Sequence, residues 1–250
     1  MGVKITVKGS DFSARAVAYV PKVSDGLQYL NFFGKEVQTL ARNLAPGKPP
    51  GIVVGSPVFD DTSASFSYLK DYVKTGVLQT QDATLIAVFK VPLSNAIVWR
   101  HIVSNFGANV GAGLKYGLSL ALKLDVPDAR GTLGLVSTTG GAATTVGNAR
   151  PVSLGSYVCL ALTADSVGRV VAISNLTASS KASATYVVGN QTELNGEFLI
   201  GSAAGLRSDS TGGVTNVCYA SIYNRPLSAP ELVTVYEDLK KFYSLRGISI

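Results

Sequence analysis

Short apolar runs separated by turn residues recur along this sequence. Residues 83–91 (ATLIAVFKV), 96–104 (AIVWRHIVS), 116–124 (YGLSLALKL), 157–164 (YVCLALTA), 169–178 (RVVAISNLTA) and 196–203 (GEFLIGSA) carry β-branched or aromatic residues in partial alternation. Residues 52–59 (IVVGSPVF) and 64–76 (ASFSYLKDYVKTG) have the same character. Turn residues interrupt these runs about every 8 to 12 positions, which is the spacing of a β-sandwich. The 26 glycines suit those turns, and 46% hydrophobic against 15% charged residues supplies a large core and excludes broad disorder. Residues 131–148, rich in Gly and Thr, predict a loose hairpin. No fixed-period repeat is present, so neither a solenoid nor a propeller is expected. The 250 residues fit one all-β unit.

One helix is predicted, at the C-terminal end. Ser228 and Glu231 have capping-box spacing, and Pro230 is tolerated in a first turn. Leu232, Val235, Tyr236, Leu239 and Phe242 fall on one helical face, which would lie against the sheets, and Gly247 is a natural stop. At the other end, Pro46, Gly47, Pro49, Pro50 and Gly51 break any regular element. They divide the chain into an N-terminal extension or assembly segment, 1–46, and a sandwich body, 47–250. The extension contains the mixed segment 14–40, with its apolar piece 27–34. In its first residues, Val3, Ile5 and Val7 alternate with Lys4, Thr6 and Lys8. That is a strand pattern, and it outweighs the myristoylation pattern that Gly2 and Thr6 also match.

The net charge of +6 does not by itself point to nucleic acid. Lys and Arg are scattered, with Lys240-Lys241 the only doublet, whereas a nucleic-acid binder concentrates its basic residues on one element. Residues 1–10 lack the apolar centre of a signal peptide, and no run reaches the roughly 18 apolar residues of a membrane span, so membrane insertion is not expected. Cys159 and Cys218 both sit in apolar strand-like runs. They read as buried thiols, with a single bridge between strands as the alternative. One His and two distant Cys make no metal-ligand set, the acids are too dispersed for calcium, and no cofactor is expected.

The last sixty residues carry the most specific pattern. Leu199-Ile200-Gly201 precedes a Gly-rich loop, and a strand then ends in Ile222-Tyr223-Asn224-Arg225-Pro226-Leu227-Ser228, followed by Glu231, Leu232 and Tyr236. This resembles the closing segment of concanavalin A-like (laminin-G-like) jelly-roll domains, in which "IG" leads to "IYNRxLSxxEL". Phe66 to Thr75 followed by Asp82-Ala83-Thr84-Leu85 resembles an upstream step of the same family, as Tyr157 to Ala164 resembles its central strand. The resemblance spans roughly 50–245 and implies an antiparallel jelly-roll sandwich with one short C-terminal helix. The stretch from Gly9 to Pro21, and that from Ala41 to Phe59, look like bacteriophage or prophage virion proteins of the tail-fibre, tailspike or head-fibre type. That second resemblance implies a structural or attachment protein made in the bacterial cytoplasm and carried on the virion. Its expected partners are other virion proteins, further copies of itself and host surface glycans. A stand-alone lectin-like carbohydrate-binding module and a polysaccharide-degrading enzyme are the alternatives.

Catalysis is not expected from the residues. Glycoside hydrolysis needs two carboxylates facing one another across the sugar, and the E-x-D-x-x-E pattern of hydrolases on this fold is absent. Adjacent Asp60 and Asp61 would point to opposite faces of a strand. Asp125 and Asp128 bracket a turn, and Glu193 and Glu197 flank Asn195-Gly196, a hairpin signature. His101 is the sole histidine and has no nucleophile elbow to serve. The glycines between Gly107 and Gly117 lack a parallel β-α-β context for nucleotide binding. As ligand-binding candidates we take Trp99 and His101, which alternation puts on one face with Arg100 on the other, together with Arg207 and Asp209 in the loop RSDSTGG.

Overall fold

The computed structural model describes residues 19–34, 37–93, 99–107, 117–123, 128–136, 142–147, 152–186, 191–192, 196–205 and 213–250. They form two antiparallel sheets packed face to face, with a helix on the outside of one, so the expected all-β sandwich is the fold. The first sheet holds β1 (Leu27–Phe32), β3 (Val58–Phe59), β4 (Ala64–Ser67), β6 (Ala83–Lys90), β11 (Tyr157–Asp165), β12 (Val170–Asn175), β13 (Ser180–Thr185) and β16 (Val214–Tyr223). Its order is β13-β12-β11-β6-β16-β4-β3. β1 pairs with the C-terminal half of β16, beside the half that pairs with β4. The second sheet holds β2 (Ile52–Val54), β5 (Tyr72–Leu78), β7 (Trp99–Ser104), β8 (Leu118–Lys123), β9 (Asp128–Val136), β10 (Ala142–Gly147), β14 (Gln191–Thr192) and β15 (Glu197–Ile200). It runs β10-β9-β8-β7-β15-β5-β2, with β14 against β9. β9 and β10 are the predicted hairpin.

Two runs that read as single strands each divide between the sheets. Residues 52–59 become β2 in the second sheet and β3 in the first. Pro57, which cannot donate to a ladder, stands in the crossing, and the Ser56 N–H turns to the Asp71 carboxylate at 2.8 Å. Residues 64–76 become β4 in the first sheet and β5 in the second, turning at Leu69, whose φ is +58° and whose N–H donates to Ser202 Oγ. A further strand, β13, has the sequence SKASAT, with Thr185 its one β-branched residue and no aromatic, and so lacks most of the content by which the others were legible. It forms because its alanines, Ala182 and Ala184, alternate inward onto the core.

Burial divides into two layers. Between the sheets lie Tyr29, Phe33, Phe66, Val73, Leu85, Phe89, Ile102, Leu120, Leu160, Phe198 and Ile222 among others. Outside the first sheet a second cluster joins Ile86, Val88, Cys159, Ala161, Cys218 and Tyr219 to Leu232, Val235, Leu239 and Tyr243 of α2 (Ala229–Ser244). Strand residues on both faces of β6, β11 and β16 are therefore apolar, which explains their near-continuous hydrophobic runs. Cys159 and Cys218 are free, buried thiols in this second cluster, and burial pushes both well above the ordinary thiol range. The segment 27–45, inside the expected extension, supplies β1, the single turn α1 (Val37–Leu40) and the core residues Tyr29, Leu30, Phe33 and Leu40. The opening strand pattern of residues 3–7 lies outside the described residues.

Candidate functional site

Trp99 and His101 do share a face, as alternation requires. Between them, Arg100 turns inward: its Cα partner is Leu122 of the inter-sheet core, and its Nε donates to the Val214 carbonyl of the opposite sheet at 3.2 Å. Burial lowers the Arg100 guanidinium below its ordinary value. Trp99 and His101 consequently belong to the outer face of the second sheet. His101 is only 4% exposed. Its ring stacks between Tyr68 (centroids 5.9 Å apart) and Phe106 (6.0 Å), and Nδ1 lies 3.0 Å from Ser119 Oγ. A histidine so enclosed packs the face rather than offering a free edge to a ligand. Trp99 is half-buried. Arg207 and Asp209 lie outside the described residues, as do Asp125, Glu193 and most of the glycine-rich stretch between Gly107 and Gly117.

Three of the described acids hold backbone. Asp60 Oδ1 accepts from the backbone N–H groups of Thr62 and Ser63, both at 2.7 Å, and from their hydroxyls. Burial would raise its carboxyl, but those hydrogen bonds outweigh burial and hold it below the ordinary carboxylate value. Glu197 Oε1 accepts from the Gly76 N–H at 2.9 Å, and Asp82 Oδ1 from the Ser166 N–H at 2.7 Å. No group of three or more His, Cys, Asp or Glu among the described residues is placed to hold a metal ion.

The closing motif acts as a joint between elements. The Arg225 guanidinium pairs with Glu231 on α2 at 2.6 Å and with Asp25 before β1 at 2.8 Å. Thr84 Oγ1 donates to the Arg225 carbonyl and accepts from the Leu227 N–H, and Tyr223 Oη donates to the Val23 carbonyl. Hydrogen bonding from Arg225, and then from the N–H and hydroxyl of Ser228, lowers Glu231 to about 2.

That joint also forms one wall of a cleft. A cavity of about 260 Å³ opens where β1 of the first sheet runs beside β5 of the second. It is lined by Gln28, Asn43, Lys48, Pro49, Asn224 and the β5 segment from Thr75 to Leu78, with Thr80 beyond. Several polar lining groups are fully occupied. Asn43 accepts from the Leu30 and Ala45 N–H groups and donates to the Gln28 and Pro49 carbonyls, which pins its loop to β1. Thr75 Oγ1 donates to the Phe198 carbonyl, and Thr80 Oγ1 to that of Asp82. The Gln28 amide nitrogen donates to Gly26, leaving its Oε1 available. The Asn224 carboxamide and the Lys48 ammonium make no hydrogen bond or ion pair among the described residues. An acceptor, a combined donor and acceptor, and a cation thus surround a space that Val77 and Leu78 also line. Such a set can hydrogen-bond hydroxyl-bearing molecules, and no acid stands among its described lining residues. None of these three residues was a sequence candidate, because they converge only when β1 pairs with β16. Each stood in a stretch singled out for another reason: Asn224 for the fold, Lys48 for a likeness to virion proteins and Gln28 for its apolar neighbours.

No family model and no curated protein sequence matches this chain. Among solved structures, the receptor-binding domain of botulinum neurotoxin D superposes with a TM-score of 0.62 at 11% identity, covering 86% of this chain and 53% of that one. The receptor-binding domain of botulinum neurotoxin type G gives 0.57 at 14% identity, covering 87% and 52%. A sialidase of Trypanosoma rangeli gives 0.57 at 16% identity, covering 86% of this chain and 33% of the enzyme. The chain therefore spans about half the length of the neurotoxin domains and a third of the sialidase, and at these identities what it shares with them is the β-sandwich fold.

Proposed function

We propose that this chain is a non-catalytic, glycan-binding attachment module of a bacteriophage virion. The cleft carries the reading: three side chains with unspent hydrogen-bonding capacity surround a space of about 260 Å³, and no carboxylate is among its described lining residues. Saccharides are recognised by such convergent neutral polar groups over a partly apolar floor. The fold is shared with domains whose own role is receptor binding, which supports a recognition role. The virion setting rests on the likeness of the N-terminal stretches to phage fibre and spike proteins. A polysaccharide-degrading enzyme is disfavoured, because Asp60, Asp82 and Glu197 are each engaged in holding backbone.

Binding of the full chain to a glycan array at low salt tests this, alongside the Gln28→Ala/Asn224→Ala double variant. Saturable binding by the parent, reduced at least tenfold in the variant, is the expected result. Failure to bind any glycan would reject the reading, and release of reducing sugar from a polysaccharide would replace it with the enzymatic one.

A further inference from the structure

Of the described residues that line the cleft, Lys48 is the only ionised one. Among acids on neighbouring described segments, Asp25 is paired with Arg225, while Glu197 and Asp82 stand outside the lining and accept from the Gly76 and Ser166 N–H groups. Both ion pairs among the described residues belong to Arg225, so the Lys48 ammonium has no counter-ion among the described residues. Its backbone is nonetheless well placed. The Lys48 N–H donates to the Ala45 carbonyl, and the next carbonyl, that of Pro49, accepts from Asn43. A fixed loop therefore presents a cation with no partner among the described residues, beside two neutral polar groups with hydrogen-bonding capacity left, on a chain whose net charge is +6.

Resting on the glycan-binding reading, we infer that the cleft takes an anionic saccharide, with a carboxylate-bearing sugar of the uronic-acid type set against Lys48. Gln28 Oε1 accepts from ring hydroxyls, and the Asn224 carboxamide both donates and accepts. A lysine suits this task because its ammonium is a compact point charge that meets a carboxylate from several directions, without the planar register an Arg fork imposes.

The probes are trisaccharides of galacturonic, glucuronic and mannuronic acid, each paired with its methyl ester, which keeps the ring and removes the charge. Titration calorimetry on the full chain is expected to show at least one acid binding about fivefold more tightly than its ester at low salt, the scale of a solvent-exposed charge pair. That advantage should shrink above roughly 0.5 M salt as screening shortens. It should vanish in Lys48→Gln and survive in Lys48→Arg. Lys48 is exposed, so these variants are expected to fold. Equal affinity for acids and esters, or an advantage undiminished in Lys48→Gln, overturns the anionic assignment and leaves glycan binding standing. If no saccharide binds here or on the array, the parent reading fails with it.

Discussion

Two glycines with left-handed backbones separate backbone strain from collision. Gly247 has φ +71°, ends the turn after α2, and a Cβ built there meets nothing within 4 Å. Gly201 has φ +82°, and its Cβ would lie 2.1 Å from that of Phe66, a fully buried ring set edge-on to Phe33. Alanine at 247 therefore incurs only the left-handed conformation, about 1 kcal/mol. Alanine at 201 adds overpacking of a filled core, for a total of about 3 kcal/mol. Urea unfolding of Gly247→Ala and Gly201→Ala checks this through the two midpoints. Similar small shifts for both would show that the Phe66 wall yields more readily than its burial implies.

Among the elements, α2 shows how a local ion pair becomes a pH dependence. Glu231 is held near 2, chiefly by Arg225 and then by Ser228, against an ordinary value of 4.5. A carboxylate depressed on folding stabilises the native state fully above its unfolded value and loses that contribution as pH falls through the folded one. The stabilisation due to Glu231 is thus complete above about pH 4.5 and gone below about pH 2. Glu231→Gln should lower stability at pH 7 and flatten this part of the acid limb, read as denaturation midpoints between pH 2 and 6. An unchanged limb would mean that solvent screens the pair entirely. This helix was legible in the sequence because its cap, apolar stripe and stop are all local signals, and Ser228, Leu232, Leu239 and Gly247 each do what their spacing implied. The division of residues 52–59 and 64–76 between sheets was not, since sheet membership depends on partners distant in the chain. The cleft was illegible for the same reason: Gln28, Lys48 and Asn224 carry no shared spacing, and only strand pairing brings them together.

At the scale of the molecule, the way the first described residues are held decides how self-association is to be tested. Tyr19 lies against α2, its hydroxyl donating to Asp238 and its ring edge-on to Phe32 and Phe242. Residues 27–45 then run through both apolar layers, with β1 bonded to β16 and Leu30, Phe33 and Leu40 buried. Deleting 1–45 would strip a strand from the first sheet and open both cores, so loss of an oligomer in that variant would report unfolding. Cutting after Ala18 instead keeps every one of these contacts, including the Tyr19 anchor. If the segment before Tyr19 joins copies of the chain, light scattering should give a multiple of the 26.0 kDa chain mass for the full length and a monomer for residues 19–250. Circular dichroism and thermal midpoint should be nearly unchanged between the two. None of the described cleft-lining residues is removed by that cut, so glycan affinity per chain should persist while avidity on a densely coated surface falls. Retention of the oligomer by 19–250 would move the contact to the sandwich itself, and a full-length monomer would remove self-association from the proposed role.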